Sequence, residues 1–485
     1  MWKFTRFALA ILLAFATSAV EVAAGAQPDF LAGEFIARRA KVAEAIGPGA
    51  FAVLQGAPPI KGFEVFRQSN EFYYLTGLAV PGAYALIDGS RRETRLYLPR
   101  RDPGLERVEG PVLSAEDADA VKALTGAEEV HPVGALSEHL SGGRDRVIYT
   151  PFGPAEGRYQ SRGEIESANR RQANDPWDSQ PSREAHFAAL MRSRLPGAEV
   201  RDLTPILDPL RVIKSPRELA LLRRAGQLAA LGTMAAIRSA KPGVYEYQLD
   251  AAARYVHWVN GSMGDGYRPI TATGENASMM HYYKNDTRLA DGQLVLMDFS
   301  PEVGYYTSDM GRMFPVNGTY SPQQRELYGF VVEYHKTLLR HLRPGVTATQ
   351  VTERSAADME QVLARWKFSK PIYEQGARNL LKFRGHLSHG VGMAVHDVGD
   401  YQASPLAPGM VFAIDPQMFV PEEKLYIRIE DTIAITETGF ENLTGEAPIE
   451  LDAVERLMRE PGIVQAFPPT PWSVPRSSNR VTTGR

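Results

Sequence analysis

Cysteine is absent from the 485 residues. That excludes disulfides and a lipid attached at a lipobox cysteine. A secreted chain of this length can stand without cross-links because its core is large. Charge of one sign is also missing: 54 Lys and Arg face 57 Asp and Glu. No basic stripe of the kind a nucleic-acid binder needs is present. Long apolar runs are scarce too. The run Phe7 to Val20 is short of the ~20 residues a membrane span requires. Lys3 and Arg6 precede it, and Ala24-Gly25-Ala26 follow it before Gln27. A positive start, a short apolar stretch and small residues at the end predict a cleaved signal peptide over 1–26. The mature chain is then expected to be periplasmic or secreted, with no stable membrane span.

What is present is enough hydrophobic residue, 44% of the chain, for two domains. Glu34 to Ile46 has helical patterning and stops at Gly47-Pro48-Gly49. Short apolar runs at Ala50 to Leu54, Ala83 to Ile87 and Thr94 to Leu98 have strand chemistry, separated by turn residues. An α/β (α+β) chain is expected. Residues 155–190 are polar and turn-rich and are expected to form an irregular insertion. Ser215-Pro216-Arg217-Glu218 has the capping-box pattern with proline at the first helical position, opening a helix to about Ala240. The expected divisions are a signal peptide 1–26, an N-terminal domain 27–210, a second domain 211–455 and a flexible tail 456–485.

The chemistry starts at Leu294-Val295-Leu296-Met297-Asp298, an apolar strand ending in an acid. Asp309 follows in a second strand-like run, Tyr305 to Val316. If Val303-Gly304 form a two-residue hairpin turn, Asp298 comes to face Asp309. Opposed side chains have Cβ atoms ~5 Å apart, and like charges there are destabilising unless a cation lies between them. A second strand pair repeats the arrangement, with Asp415 ending Met410 to Ile414 and Glu430 inside Leu425 to Ile435. Arg428 could neutralise one such acid; four need more positive charge than one arginine provides. The chain has ten histidines, yet His386, His389 and His396 fall close together beside a glycine-rich turn. An imidazole with four carboxylates is a hard ligand set that suits Mn²⁺, or else Co²⁺ or Zn²⁺. Bridging carboxylates can hold two such ions ~3.5–4 Å apart.

The run Asp298-x10-Asp309, Leu387-Ser388-His389-Gly390, Ile414-Asp415-Pro416 and Ile427-Arg428-Ile429-Glu430-Asp431 resembles the aminopeptidase P and prolidase family. The resemblance implies an N-terminal α/β domain of creatinase and aminopeptidase P type, then a pita-bread catalytic domain. It implies two divalent metal ions per chain on Asp298, Asp309, His389, Asp415 and Glu430, with Asp309 and Glu430 bridging. His281, His396 and Asp415 carry catalytic roles by the same resemblance, and Tyr267, His386 and Arg428 line the proline pocket. The implied partners are proline-containing peptides and copies of the chain in a homo-oligomer. One departure stands out: the family usually has Glu-Pro-Gly where this chain has Asp415-Pro416-Gln417. The expected activity is removal of an N-terminal residue that precedes proline. A prolidase restricted to Xaa-Pro dipeptides uses the same ligands, and a tripeptide assay separates the two. A metal-free binding module on the same fold would need incompetent residues at ligand positions, and none of the five is one.

Overall fold

A computed structural model describes residues 30–141 and 146–469. The expected signal peptide lies outside the described residues. The chain divides into two units between Leu210 and Arg211.

The first unit opens with the helix Ala32–Ile46, which ends at Gly47 with a φ of 74°. Six strands follow: β1 (Ala50–Gln55), β2 (Tyr84–Asp88), β3 (Glu93–Leu98), β4 (Glu129–Pro132), β5 (Val147–Thr150) and β6 (Glu199–Asp202). They form one sheet in the order β4-β3-β2-β1-β5-β6. β1, β2 and β3 pair antiparallel; β4, β5 and β6 join parallel. The central β1 is apolar without alternation and is covered on both faces, as its composition requires. The segment 155–190, expected to be irregular, holds the helix Arg162–Ala173 and the start of another, Arg183–Arg194. The first buries no residue, so it carries no apolar stripe from which its period could be read. The second is marked by its cap, where Ser182 Oγ accepts from Ala185 N at 3.1 Å.

In the second unit the capping box forms as expected. Ser215 Oγ accepts from Glu218 N, Glu218 Oε2 accepts from Ser215 N, and the helix Pro216–Ser239 follows. The helix Glu246–Val259 packs beside it. Eleven strands come next: β7 (Gly264–Asp265), β8 (Ile270–Thr273), β9 (Leu294–Asp298), β10 (Pro301–Val303), β11 (Tyr306–Thr307), β12 (Gly311–Pro315), β13 (Val411–Ile414), β14 (Gln417–Val420), β15 (Leu425–Arg428), β16 (Asp431–Ile435) and β17 (Phe440–Asn442). They form small sheets, β8-β9-β12, β7-β10-β11, β13-β16-β17 and β14-β15. Helices Pro322–His341, Ala348–Leu363 and Pro371–Lys382 close over a continuous apolar core with these strands. The helix Leu451–Leu457 crosses the boundary expected at 455, and within the segment expected as a tail Ile463–Ala466 is helical. Among the described residues no helix is long and apolar enough to cross a membrane.

The hairpin register differs from expectation by two residues. Val303 pairs with Tyr306, so the turn is Gly304-Tyr305, with φ of 56° and 72°. Two left-handed residues are what a tight primed turn demands, and tyrosine gives no warning that it will adopt one. Asp298 consequently faces Gly311, not Asp309. The long strands expected at Tyr305 to Val316 and Leu425 to Ile435 are each interrupted, the first around Asp309 and the second at Ile429-Glu430. The breaks lift Asp309 and Glu430 out of the ladders. Gly311 and Glu430 then exchange backbone bonds at 3.1 and 3.0 Å, joining the two strand systems at the acids.

Candidate metal centre

Asp298 ends β9, Asp309 lies before β12, Asp415 follows β13, and Glu430 lies between β15 and β16. All four side chains are buried. His389 reaches them from a loop fastened to the edge of β13, where its carbonyl accepts from Ala413 N at 2.9 Å. Its Nε2 lies 3.2 Å from Asp309 Oδ2 and 3.9 Å from Glu430 Oε1. Asp298 and Asp309 are not directly opposed, but the Tyr267 hydroxyl joins them, at 2.7 Å from Asp298 Oδ1 and 2.8 Å from Asp309 Oδ1.

Arg428 does more than the sequence led us to expect. It donates to Asp298 Oδ2 at 2.9 Å, to both Asp415 oxygens at 3.0 and 2.9 Å, and to Glu430 Oε2. One guanidinium therefore touches three of the four acids. Its planar fork of donors makes this possible; a lysine would act as a single point charge. The hydroxyl of Tyr267 and the guanidinium of Arg428 are thus both turned onto carboxylates.

Even so, the cluster is short of positive charge. Burial, with the charges of the neighbouring acids, raises the Asp298 and Glu430 pKa values despite Arg428. Burial also acts to raise Asp309, but the hydrogen bond and charge of His389 outweigh it and hold that carboxyl below its ordinary range. Burial drives the Tyr267 hydroxyl up, and Asp298 and Asp309 add to the effect. Burial would lower His389; Asp309 reverses this and raises it. Four carboxylates around one arginine and one imidazole cannot all ionise at neutral pH without a further cation.

The donor set fits a divalent metal. Asp309, His389 and Glu430 each offer a ligand atom, and these atoms lie within 4.8 Å of one another. Glu430 Oε1 is buried with no hydrogen-bond partner. A buried carboxylate oxygen in that state costs several kcal/mol; a cation satisfies it directly. Asp298 and Asp415 border the same group through Tyr267 and Arg428.

The remaining expected residues sit around this centre. The His396 ring meets His389 edge-on at 4.2 Å between centroids, and His281 lies 6.2 Å from His396. The loop carrying His281 is pinned by Glu246, whose carboxylate accepts from Thr273 N, Asn276 Nδ2, Tyr282 Oη and Thr287 N. His386 stands edge-on to Phe383 at 4.6 Å. With Phe383, Tyr334, Asp415, Gln417 and Phe419 it lines a cavity of about 380 Å³. Burial lowers the His386 pKa, and His389 adds to this.

Several supporting residues escaped the sequence reading. Asp397 is buried against Arg211 and Lys214, the latter at 3.2 Å, and fastens the loop that carries His389 and His396. Its own amide donates to Gly390 O at 2.9 Å. Gly392 is required there, because a Cβ would stand 2.1 Å from Asp397 Oδ2. Behind Glu430, Arg312 donates to the Glu430 carbonyl and to Asp431 Oδ1, both at 2.6 Å. The Arg-x-x-Lys spacing before Ser215 and the His-Asp dipeptide at 396–397 were visible in sequence, but nothing there joined them.

Comparison with known proteins agrees with this geometry. Residues 220–437 match metallopeptidase family M24, and residues 35–149 match the aminopeptidase P N-terminal domain. The Xaa-Pro aminopeptidase of Escherichia coli (strain K12) is 32% identical over 446 residues, covering 88% of this chain and 97% of that one. Zn-substituted E. coli aminopeptidase P in complex with product superposes with a TM-score of 0.72 at 31% identity, covering 89% of this chain and 98% of the other. Proline aminopeptidase P II from Yersinia pestis gives 0.73 at 31%, covering 89% and 100%.

Proposed function

We propose, from the premise that this chain belongs to the aminopeptidase P family of M24 metallopeptidases, that it is an exported Xaa-Pro aminopeptidase working with two divalent ions. Membership makes it a metallo-aminopeptidase, with an N-terminal aminopeptidase P domain followed by a pita-bread catalytic domain. Its Xaa-Pro aminopeptidase activity is hydrolysis of the bond between an N-terminal residue and a following proline. The observation that carries the two-ion reading is the charge deficit: four buried acids, one of them with an oxygen that makes no hydrogen bond, share one arginine and one imidazole.

Asp298, Asp309, His389, Asp415 and Glu430 would hold the ions, with Asp309 and Glu430 between them. Such ions acidify a water molecule and polarise a carbonyl oxygen. Manganese suits this oxygen-rich set, and cobalt or zinc would also be accepted. Asp415 would accept the proton of the attacking water. His396, against His389, and His281, 6.2 Å from His396 between ring centroids, would steady the tetrahedral intermediate and return a proton to the departing proline nitrogen. Tyr267 and Arg428 keep the acids in place, and His386 borders the space beside Asp415 where a substrate ring can lie.

Export rests on Lys3, Arg6 and the short apolar run that follows. N-terminal sequencing of the secreted or periplasmic fraction should find Gln27 first; Met1 on membrane-bound protein would overturn it. The activity is tested with Xaa-Pro-Yaa tripeptides beside Xaa-Pro dipeptides. Cleavage of tripeptides with release of Xaa is expected, whereas turnover of dipeptides alone would make the chain a prolidase.

A further inference from the structure

Gln417 opens β14 and pairs with Arg428 of β15. Its side-chain amide Nε2 donates to Asp415 Oδ2. That oxygen also receives Arg428 Nη2 at 2.9 Å, while Oδ1 receives Arg428 Nε at 3.0 Å. The carboxylate is therefore gripped by a guanidinium from β15 and by a carboxamide two residues further along its own chain. Gln417 is half-buried and contributes to the wall of the cavity beside Asp415. A glutamate at 415 would carry its oxygens ~1.5 Å further along the chain direction of the side chain. The Gln417 amide already stands against Oδ2, so a longer acid would have to displace it or turn aside.

We propose that Gln417 is a positioning residue for the reaction and forms one unit with Asp415. The amide orients the short acid, and the bulk of Gln417 stands where a longer acid would need to go. A strand position adjoining the site would tolerate many half-buried side chains; a donor aimed at a site carboxylate restricts it to few. The departure Asp415-Pro416-Gln417 is then one coupled change. The role rests on the metallo-aminopeptidase reading, but metal affinity can be measured independently of any peptide.

The test uses the full chain, stripped with chelator, and four variants: Gln417→Met, Gln417→Gly, Asp415→Glu and Asp415→Glu/Gln417→Gly. Mn²⁺ is titrated by calorimetry, kcat and KM are measured on a tripeptide, and thermal melting checks the fold. Gln417→Met keeps the bulk and removes the donor. It should weaken the looser Mn²⁺ site about tenfold and lower kcat about tenfold, with KM little changed, since misplacement by ~1 Å can cost on the order of 10²-fold. Asp415→Glu alone should lose as much, and the double variant should recover most of it, a coupling that neighbouring side chains show and independent ones do not. Parental Mn²⁺ binding and kcat in folded Gln417→Met would overturn the donor role. A double variant no better than Asp415→Glu would overturn the unit. If Gln417→Met does not fold, the Asp415→Glu comparison decides alone. Shifted Mn²⁺ binding with no peptide turnover in any form, parent included, would leave Gln417 in its role and remove the peptidase reading.

Discussion

Two of the buried charge clusters in the catalytic unit differ in balance. At Asp397, one carboxylate meets two cations, Arg211 and Lys214. Burial acts to raise the Asp397 pKa, but those cations outweigh it and hold the carboxyl below its ordinary value. At the metal centre four carboxylates share Arg428 and His389, and two of the acids are raised. The first cluster is closed and serves to fix a loop. The second is open by at least one positive charge, and it is the one lined by histidines and a cavity. A shortage of positive charge around buried carboxylates thus separates a ligand site from a structural anchor more clearly than acid content does.

That contrast can be broken at either cluster. The largest effect is expected at the open one. Asp309→Ala or Glu430→Ala removes an acid proposed to lie between two ions, and hydrolysis of a Xaa-Pro-Yaa peptide should fall by on the order of 10³-fold or more, a loss of about 4 kcal/mol in transition-state stabilisation. Bound metal per chain should fall in parallel, while the thermal midpoint of the stripped protein holds or rises, because like charge has been removed. A sharply lower midpoint in stripped Glu430→Ala would mean that the cluster is structural.

Asp397→Leu should behave in the opposite way. It leaves Arg211 and Lys214 buried without their counter-charge, and breaking such a pair by removing one partner costs about 3–5 kcal/mol. Denaturant unfolding measures this, and the folded fraction should still bind metal. Loss of metal with unchanged stability would contradict the division of roles.

Asp415→Asn should weaken one ion and lower kcat by about 10–100-fold, since a neutral amide lacks both the charge and the basicity of the acid. Unchanged metal content and rate in this variant would take residue 415 out of the centre.

The smallest effect concerns a third way of burying a titratable group, which is to keep it neutral. His257 is 1% exposed, seated against Gly232 and Phe299, and burial pushes its pKa down to about 3, with Arg254 acting the same way. An unfolded histidine takes up its proton near pH 6.5, so the unfolded state binds more protons between that value and the folded pKa. Stability contributed at this site is complete above pH 6.5 and declines as pH falls, by about 2 kcal/mol between pH 7 and pH 5. His257→Leu should flatten that part of the profile in urea unfolding; an unchanged slope would show that His257 is not responsible for it.

The acids and histidines were legible because carboxylates are costly in apolar strands and histidine is scarce in this chain. The capping box at Ser215 was legible for a similar reason, since its residues leave little else for that segment to do. The hairpin register was not. It turns on Tyr305 entering left-handed space, and a shift of two keeps every side chain on its face, so the apolar pattern cannot detect it. The helix Arg162–Ala173 escaped because it buries nothing. The reach of Arg428 and the pairing of Gln417 with Asp415 depend on which strands lie beside one another, and local pattern does not contain that. Arg211 and Lys214 are separated from Asp397 by most of the catalytic unit's sequence.

The central claim is that the open cluster is completed by divalent cations and that the chemistry depends on them. Its most direct test is metal content and Xaa-Pro-Yaa hydrolysis measured on the same sample, before chelation, after it, and after Mn²⁺ is restored. About two ions per chain are expected, with activity lost on chelation and regained in proportion to the ions returned, as a two-metal peptidase requires. Full hydrolysis by a folded sample from which metal has been removed would contradict the account.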